Sequence, residues 1–399
     1  MKIKSLFFLI ISVIFLLTTS AFGCSMFMIQ ENGKVMVGNN EDYWNQNSRI
    51  WFEKGDEKNH GVTYVGFDDL WPQGAINEKG LVFDGFAMPY LEINNYADKK
   101  SPEQEDFLRY VMQTCSTVDD VKNYFSQIDL RGMEKAMYYF VDKSGKQLIV
   151  EGDSIVIKNK LYDIISNFYP SQYADLNDVT IKFYQKGRKL IEEKQDTSIS
   201  FCASLLDSLH QETDWGGGTL YSTVYDLNEG IIYLYFNHNY GNVVKINIKD
   251  ELAKENHTLI IPELFPDNNK GQEFYRSYNN TLSKIDSLGI KYIVTDPQKF
   301  SNLKSFIKKV AKINIFKENL NISSSKWIEN KDFETAVLVY EFMTELYPED
   351  PELYSNLGRS YSEISKLDDA LINYEKCIEL SPDNKDVKEK IEAIKRLKN

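Results

Sequence analysis

Ala21-Phe22-Gly23-Cys24-Ser25-Met26-Phe27-Met28-Ile29 runs through Glu31-Asn32-Gly33-Lys34 into Val35-Met36-Val37-Gly38-Asn39-Asn40-Glu41-Asp42, and its reading decides the fold. Two apolar runs flank a turn sequence, which predicts a β-hairpin beginning one residue after Cys24. Upstream, Lys2 and Lys4 precede an apolar run from Leu6 to Leu17 broken only by Ser12. That pattern predicts a secretory signal peptide over residues 1–23. The run is well short of the roughly 20 residues a helix needs to cross a bilayer, so no permanent membrane span is expected. Ala21 and Gly23 supply the small residues that signal cleavage favours, which places the cut directly before Cys24. The expected location is outside the cytoplasm, periplasmic or extracellular.

Away from this stretch the texture alternates. Strands are expected at 62–65 and 81–83. Residues 102–127 then carry Phe107, Tyr110, Val111 and Cys115 at helical spacing, followed by Val118, Val121, Tyr124 and Phe125. These predict two amphipathic helices. Period two returns in 137–141, 147–151 and 154–157. A helical stretch over 178–210 precedes strands at 218–225, 231–237 and 242–248. Strands, helices, strands, helices, strands predict a layered α+β domain over 24–265 rather than a parallel βαβ fold. Trp44, Trp51, Trp71, Phe86 and Tyr90 are core residues by default, or line a pocket. Trp215-Gly216-Gly217-Gly218 lacks the following lysine and helix of a phosphate loop and reads as a rim loop.

Past residue 265 the chain becomes charged and helical in spacing, a linker with helices over 266–310 and an all-α module over 311–399. Ala336, Tyr340 and Pro348 recur as Ala370, Tyr374 and Pro382, each 34 residues on, and Tyr354, Leu357, Gly358 and Tyr361 accompany the second copy. This resembles a tetratricopeptide repeat. About one and a half repeats are recognisable, so the helices near 300–330 or the preceding domain are expected to complete the packing. A protein partner docking on this module is one reading; a packing accessory is the other.

The balance of 46 basic and 59 acidic residues gives a net charge of −13, which disfavours nucleic acid and anionic membrane surfaces as partners. Nothing in the sequence sets the oligomeric state. The four cysteines, Cys24, Cys115, Cys202 and Cys377, are too widely spaced for a zinc pattern or a dense disulfide framework. His60, His210, His238 and His257 show no metal-ligand spacing, so no metal or cofactor is expected.

Removal of residues 1–23 would put a free α-amine and a thiol on one residue. An α-amine has a pKa of roughly 7.7–8 and a thiol one of about 8.5, so Cys24 would hold both base and nucleophile. The rival reading is a lipid-modified cysteine at the head of a non-catalytic exported protein. Lipid attachment favours Leu at −3 and a small residue at −2, where this chain has Ala21 and Phe22.

With Cys24-Ser25-Met26-Phe27, the hairpin and Gly38-Asn39-Asn40-Glu41-Asp42 read together, residues 24 to about 250 resemble the choloylglycine hydrolase and penicillin V acylase family, including its acyltransferase-like branch. Gln73 to Leu81, Ile164-Ile165-Ser166-Asn167, and Gly218 to Ser222 with Tyr233 to Phe236 agree in order and spacing. The resemblance implies an αββα N-terminal-nucleophile sandwich that cleaves linear, non-peptide amide bonds of N-acyl substrates. It implies catalytic roles for Cys24, for Asp42 as the partner of the α-amine, for Asn167 as an oxyanion donor, and for Arg188. It places Asn39, Asn77 and Ala87 in the substrate-binding region. Asn39 stands where the family has an arginine, and Ala87 where it has a second oxyanion asparagine, a donor type worth 10² to 10³ in rate elsewhere. Penicillin V, conjugated bile acids, N-acyl amino acids and N-acyl homoserine lactones are all compatible substrates, and an amine acceptor in place of water would make the protein an acyltransferase.

Overall fold

The hairpin forms as its turn residues dictate. Asn32 and Gly33 both take left-handed backbone, φ 51° and 80°, the geometry of a two-residue turn that matches strand twist. It joins β1 (Ser25–Glu31) to β2 (Lys34–Tyr43) in antiparallel register, Ser25 opposite Asn40 and Phe27 opposite Gly38. A side chain at Gly38 would start 2.2 Å from the Phe27 ring, so the missing Cβ leaves the room that ring fills. Full burial of a phenylalanine contributes about 1.5–3 kcal/mol.

This is a computed structural model, and it describes residues 23–43, 45–97, 99–102, 106–212, 217–280 and 327–398. The signal-peptide expectation over 1–22, Trp44, Trp215, Gly216, the expected linker and helices from 281 to 310, and the part of the expected 300–330 helices before 327 lie outside the described residues.

Two compact units result, Met1–Tyr275 and Arg276–Asn399. In the first, one sheet uses β1, β2, β10 (Tyr162–Ser166), β11 (Gly218–Asp226), β12 (Ile231–Phe236) and β13 (Val244–Asn247), in the order β10-β1-β2-β11-β12-β13. The other contains β3 (Arg49–Glu53), β4 (Val62–Gly66), β5 (Pro72–Asn77), β6 (Val82–Ala87), β7 (Ala136–Val141), β8 (Gln147–Glu151), β9 (Ser154–Lys158) and β14 (His257–Ile260), in the order β14-β3-β4-β5-β6-β7-β8-β9. Every pair of these strands is antiparallel.

Period-two alternation sorts the side chains into three cores. Met26, Met28, Val35 and Val37 of the first sheet share one core with Ile50, Phe52, Val82 and Tyr139 of the second, so the sheets pack face to face. Phe27, Ile29 and Met36 point the other way, onto α3 (Lys182–Glu193) and α4 (Ile199–Leu209). Trp51, Tyr64, Phe83 and Phe140 face α1 (Phe107–Thr114) and α2 (Val118–Phe125). The layers therefore run helix, sheet, sheet, helix. Asp106 caps α1, Ser198 caps α4, and Thr117 with Asp120 forms a capping box on α2. Trp51 and Phe86 are core residues, while Trp71 and Tyr90 are exposed. A short helix, α5 (Ile248–Leu252), links β13 to β14.

The second unit contains α6 (Phe333–Leu346), α7 (Pro351–Glu363), α8 (Leu367–Leu380) and α9 (Lys385–Lys398), each packed on the next. Ala336 and Ala370 are fully buried. At Gly358 a Cβ would lie 2.8 Å from the Tyr374 ring, so glycine sets the close approach of α7 and α8. Pro351 opens α7, where its missing N–H costs nothing.

Candidate active site

Cys24 immediately precedes β1, whose Ser25 lies between Asn40 on β2 and Ser166 on β10. Its backbone is fixed from one side by the Ser166 hydroxyl, which donates to the Cys24 carbonyl at 2.9 Å. The preceding carbonyl, Gly23 O, accepts from Gln211 Nε2 at 2.8 Å. The thiol is buried and lies 3.5 Å from Glu41 Oε1.

Alternation along β2 divides the four consecutive polar residues Asn39, Asn40, Glu41 and Asp42. Asn39 and Glu41 point between the sheets, and Asn39 Nδ2 donates a short bond to Asp84 on β6. Asn40 and Asp42 point outward. Asn40 donates to Leu206 O at 2.9 Å and accepts from Ser222 at 2.7 Å. Asp42 accepts short bonds from Thr219 Oγ1 and Gln211 Nε2. Gly218, at φ 107°, makes the Asp42 contacts feasible: a Cβ there would fall 2.4 Å from the Gln211 carbonyl, where Thr219 N pairs at 2.8 Å.

Three buried carboxyl groups thus surround one buried thiol, and among the described residues no lysine or arginine pairs with any of them. Burial pushes the Cys24 thiol well above its usual range, and Glu41, Asp42 and Asp84 push it further. Glu41 is raised by burial, then by Asp84 and Asp42. Asp84 is raised by burial against the pull of its Asn39 bond. Asp42 is pushed up to about 8 by burial, its Thr219 and Gln211 bonds pulling the other way. Glu41 Oε2, Asn39 Oδ1 and the Tyr221 hydroxyl are buried there without hydrogen-bond partners, as is Ser25 Oγ on the outer face of the same sheet. Such a cluster accommodates an added cation or polar group better than it does a second anion.

Asn167 follows β10 and donates from Nδ2 to Ala87 O at 2.7 Å. Its Oδ1 faces Gly23, where an added Cβ would lie 3.0 Å from it. The fold therefore brings Cys24, Asp42, Asn167, Asn39 and Ala87 into one neighbourhood. Asn77 and Arg188 are engaged elsewhere. Asn77 donates to Met112 O and Cys115 O at 2.9 and 2.8 Å and accepts from Lys79 N and Leu81 N, both at 3.0 Å. Arg188 sits on α3, pairs with Glu192 at 2.7 Å, and borders a cavity of about 390 Å³ with Lys160, Tyr162, Asp163 and Tyr184. Neither Cys24 nor Asp42 lines that cavity.

No protein-family model matches the sequence, and no curated protein matches it. Solved structures do resemble it. Penicillin V acylase from Agrobacterium tumefaciens is 14% identical with a TM-score of 0.46, over 59% of this chain and 91% of that one. A variant of conjugated bile acid hydrolase from Clostridium perfringens is 18% identical with a TM-score of 0.47, over 59% and 97%. Another mutant of that hydrolase is 17% identical with a TM-score of 0.45, over 59% and 96%.

Glu41, Asp84, Gln211, Thr219 and Ser166 are site residues that reading the sequence did not single out. Glu41 is within reach of the sequence, because period two continued from Val35 and Val37 puts it on the same face as Asn39. Asp84 and Gln211 come from distant segments and carry no local signal.

Proposed function

We propose that the chain is an exported N-terminal-nucleophile amide hydrolase that cleaves the linear, non-peptide C–N bond of an N-acyl substrate through a thioester on Cys24. The supporting observation is the position of Cys24: it heads the central hairpin, its thiol meets Glu41, and Asp42 is tied through Gln211 to the carbonyl just before it. The sequence resemblance to choloylglycine hydrolases and penicillin V acylases is the second support.

Loss of residues 1–23 puts an amine beside Asp42, the cation that the three carboxyl groups lack. The thiol proton passes to that amine or to Glu41 as Sγ attacks the substrate carbonyl. The tetrahedral intermediate collapses with proton transfer to the leaving amine, leaving a thioester. Water then attacks the thioester, releasing the acid and restoring the thiol. Asn167 supplies the oxyanion donor once its amide leaves the Ala87 carbonyl. Arg188 has no part in these steps. The C-terminal helices are read as a tetratricopeptide-like module that docks a protein partner or buttresses the chain. The buried sulfur speaks against the lipid-modified rival, since a diacylglyceryl group there would have to enter the core between the sheets.

The test is the intact mass and N-terminal residue of protein from an exporting bacterial host, followed by a panel of N-acyl amides with mass detection of acyl adducts. An unmodified Cys24 terminus and an adduct absent from Cys24→Ala support the reading. A lipid mass on Cys24, or no adduct and no turnover across the panel, overturns it.

A further inference from the structure

The four histidines are scattered in sequence, but the fold brings two of them together beside the site. His210 follows α4 directly, Glu212 bridges to Gly218, and His238 lies in the turn after β12. The two imidazoles stack at 4.9 Å with an 18° interplanar angle. One ligand atom from each of His210, Glu212 and His238 lies within 4.8 Å of the others. We propose that these three side chains bind a divalent transition-metal ion of the zinc class, a site that the linear spacing of the histidines does not show.

Ligand atoms about 2.1 Å from a tetrahedral zinc stand about 3.4 Å apart, so a 4.8 Å spread closes with side-chain adjustments of about an ångström. His210 is already oriented for it. Its Nδ1 lies 2.5 Å from Asp207 O and 3.3 Å from Asp207 Oδ1, which places the ring proton there and leaves the Nε2 lone pair for a metal. His238 Nε2 lies 3.3 Å from Glu212 Oε2. Asn237 and His238 both hold left-handed backbone, φ 49° and 44°, a strained conformation for two consecutive non-glycine residues and one found at functional sites. Lys270 competes: its Nζ lies 3.0 Å from Glu212 Oε2, the same oxygen that meets His238. Two histidines and one carboxylate leave the fourth zinc position for water or another ligand.

The placement gives the ion a consequence. Gln211, between two of the ligands, holds both Asp42 and the Gly23 carbonyl, so a metal fixes the segment that positions Asp42. The metal site itself does not rest on the hydrolase reading, and its test excludes the reactive thiol.

Full-length Cys24→Ser protein, stripped with EDTA and dialysed, is titrated with zinc chloride by calorimetry and with cobalt chloride by visible absorption. One equivalent of zinc, tetrahedral cobalt bands and a zinc-dependent rise in melting temperature are expected. His210→Gln and His238→Ala each weaken binding by at least about ten-fold, and Lys270→Met strengthens it by freeing the carboxylate. Circular dichroism confirms that each variant is folded. Absence of stoichiometric binding in folded protein, or binding unchanged in both histidine variants, overturns the proposal.

Discussion

Replacing Asn77 with alanine separates a structural role from a substrate-binding one. Asn77 is fully buried and joins the turn after β5 to the end of α1 through four hydrogen bonds, two donated and two accepted. Alanine leaves two carbonyls and two backbone N–H groups in the interior without that partner. At about 1 kcal/mol net per bond, the loss is about 4 kcal/mol, a large fraction of the stability of an ordinary domain. Cys115 provides the local reporter, since its carbonyl is one of the acceptors and its thiol is buried. If the end of α1 opens more readily by about 4 kcal/mol, labelling of Cys115 by a maleimide in a Cys24→Ser background accelerates about 10³-fold. The urea midpoint falls as well, and acyl-adduct formation by otherwise wild-type Asn77→Ala per folded molecule stays at the wild-type level. Unchanged labelling and midpoint with collapsed adduct formation would refute the reasoning and make Asn77 a substrate contact.

Glu41→Gln removes the largest electrostatic influence after burial on the Cys24 thiol, so iodoacetamide alkylation of Cys24 speeds up at pH 8. If Glu41 also accepts the thiol proton during attack, amide turnover falls about 10²- to 10⁴-fold in the same variant; equal acceleration of both would show that Glu41 only repels charge. Asp42, pushed up to about 8 in the uncleaved chain, favours the fold most below its unfolded value near 4, and that contribution is lost as pH rises through 8. Chain blocked from processing at Gly23 therefore has a lower urea midpoint at pH 9 than at pH 6, and, if the amine pairs with Asp42 as proposed, chain beginning at Cys24 shows a smaller drop. Gly358→Ala puts a Cβ 2.8 Å from a Tyr374 ring that is itself buried. The overpacking of about 1–3 kcal/mol outweighs the gain of about 1 kcal/mol in helix propensity, and the C-terminal unit melts earlier by calorimetry.

The hairpin, the first helix pair of the first unit and most strands are legible because local pattern and tertiary use agree: Met26 and Met28 take one face, Phe27 and Ile29 the other, as alternation requires. The single helical stretch expected over 178–210 is two helices, α3 and α4. β3 and β14 escape that reading. They pair with each other at the sheet's edge, and β14 has four residues and no fully buried side chain. β5 opens on Pro72, which reads as a break although the first residue of a strand tolerates it. In the site, Cys24 and Asp42 stand out because one short segment carries both. Arg188 and Asn77 fit the resemblance in order along the chain, but order does not fix distance, and one lies on an outer helix while the other ties a turn. The acidic environment is invisible in one dimension, because Glu41 and Asp84 meet only when the two sheets close on each other.

Gly23 and Cys24 are both buried, with the carbonyl of each already taken by a side chain. A peptidase from outside can reach the bond between them only while the chain is still open. Once the sheets have closed, the groups within reach of that bond are the domain's own. If the chain is processed at Cys24 as proposed, geometry sets the order of events: cleavage of the Gly23–Cys24 bond comes before folding, or it is carried out from within.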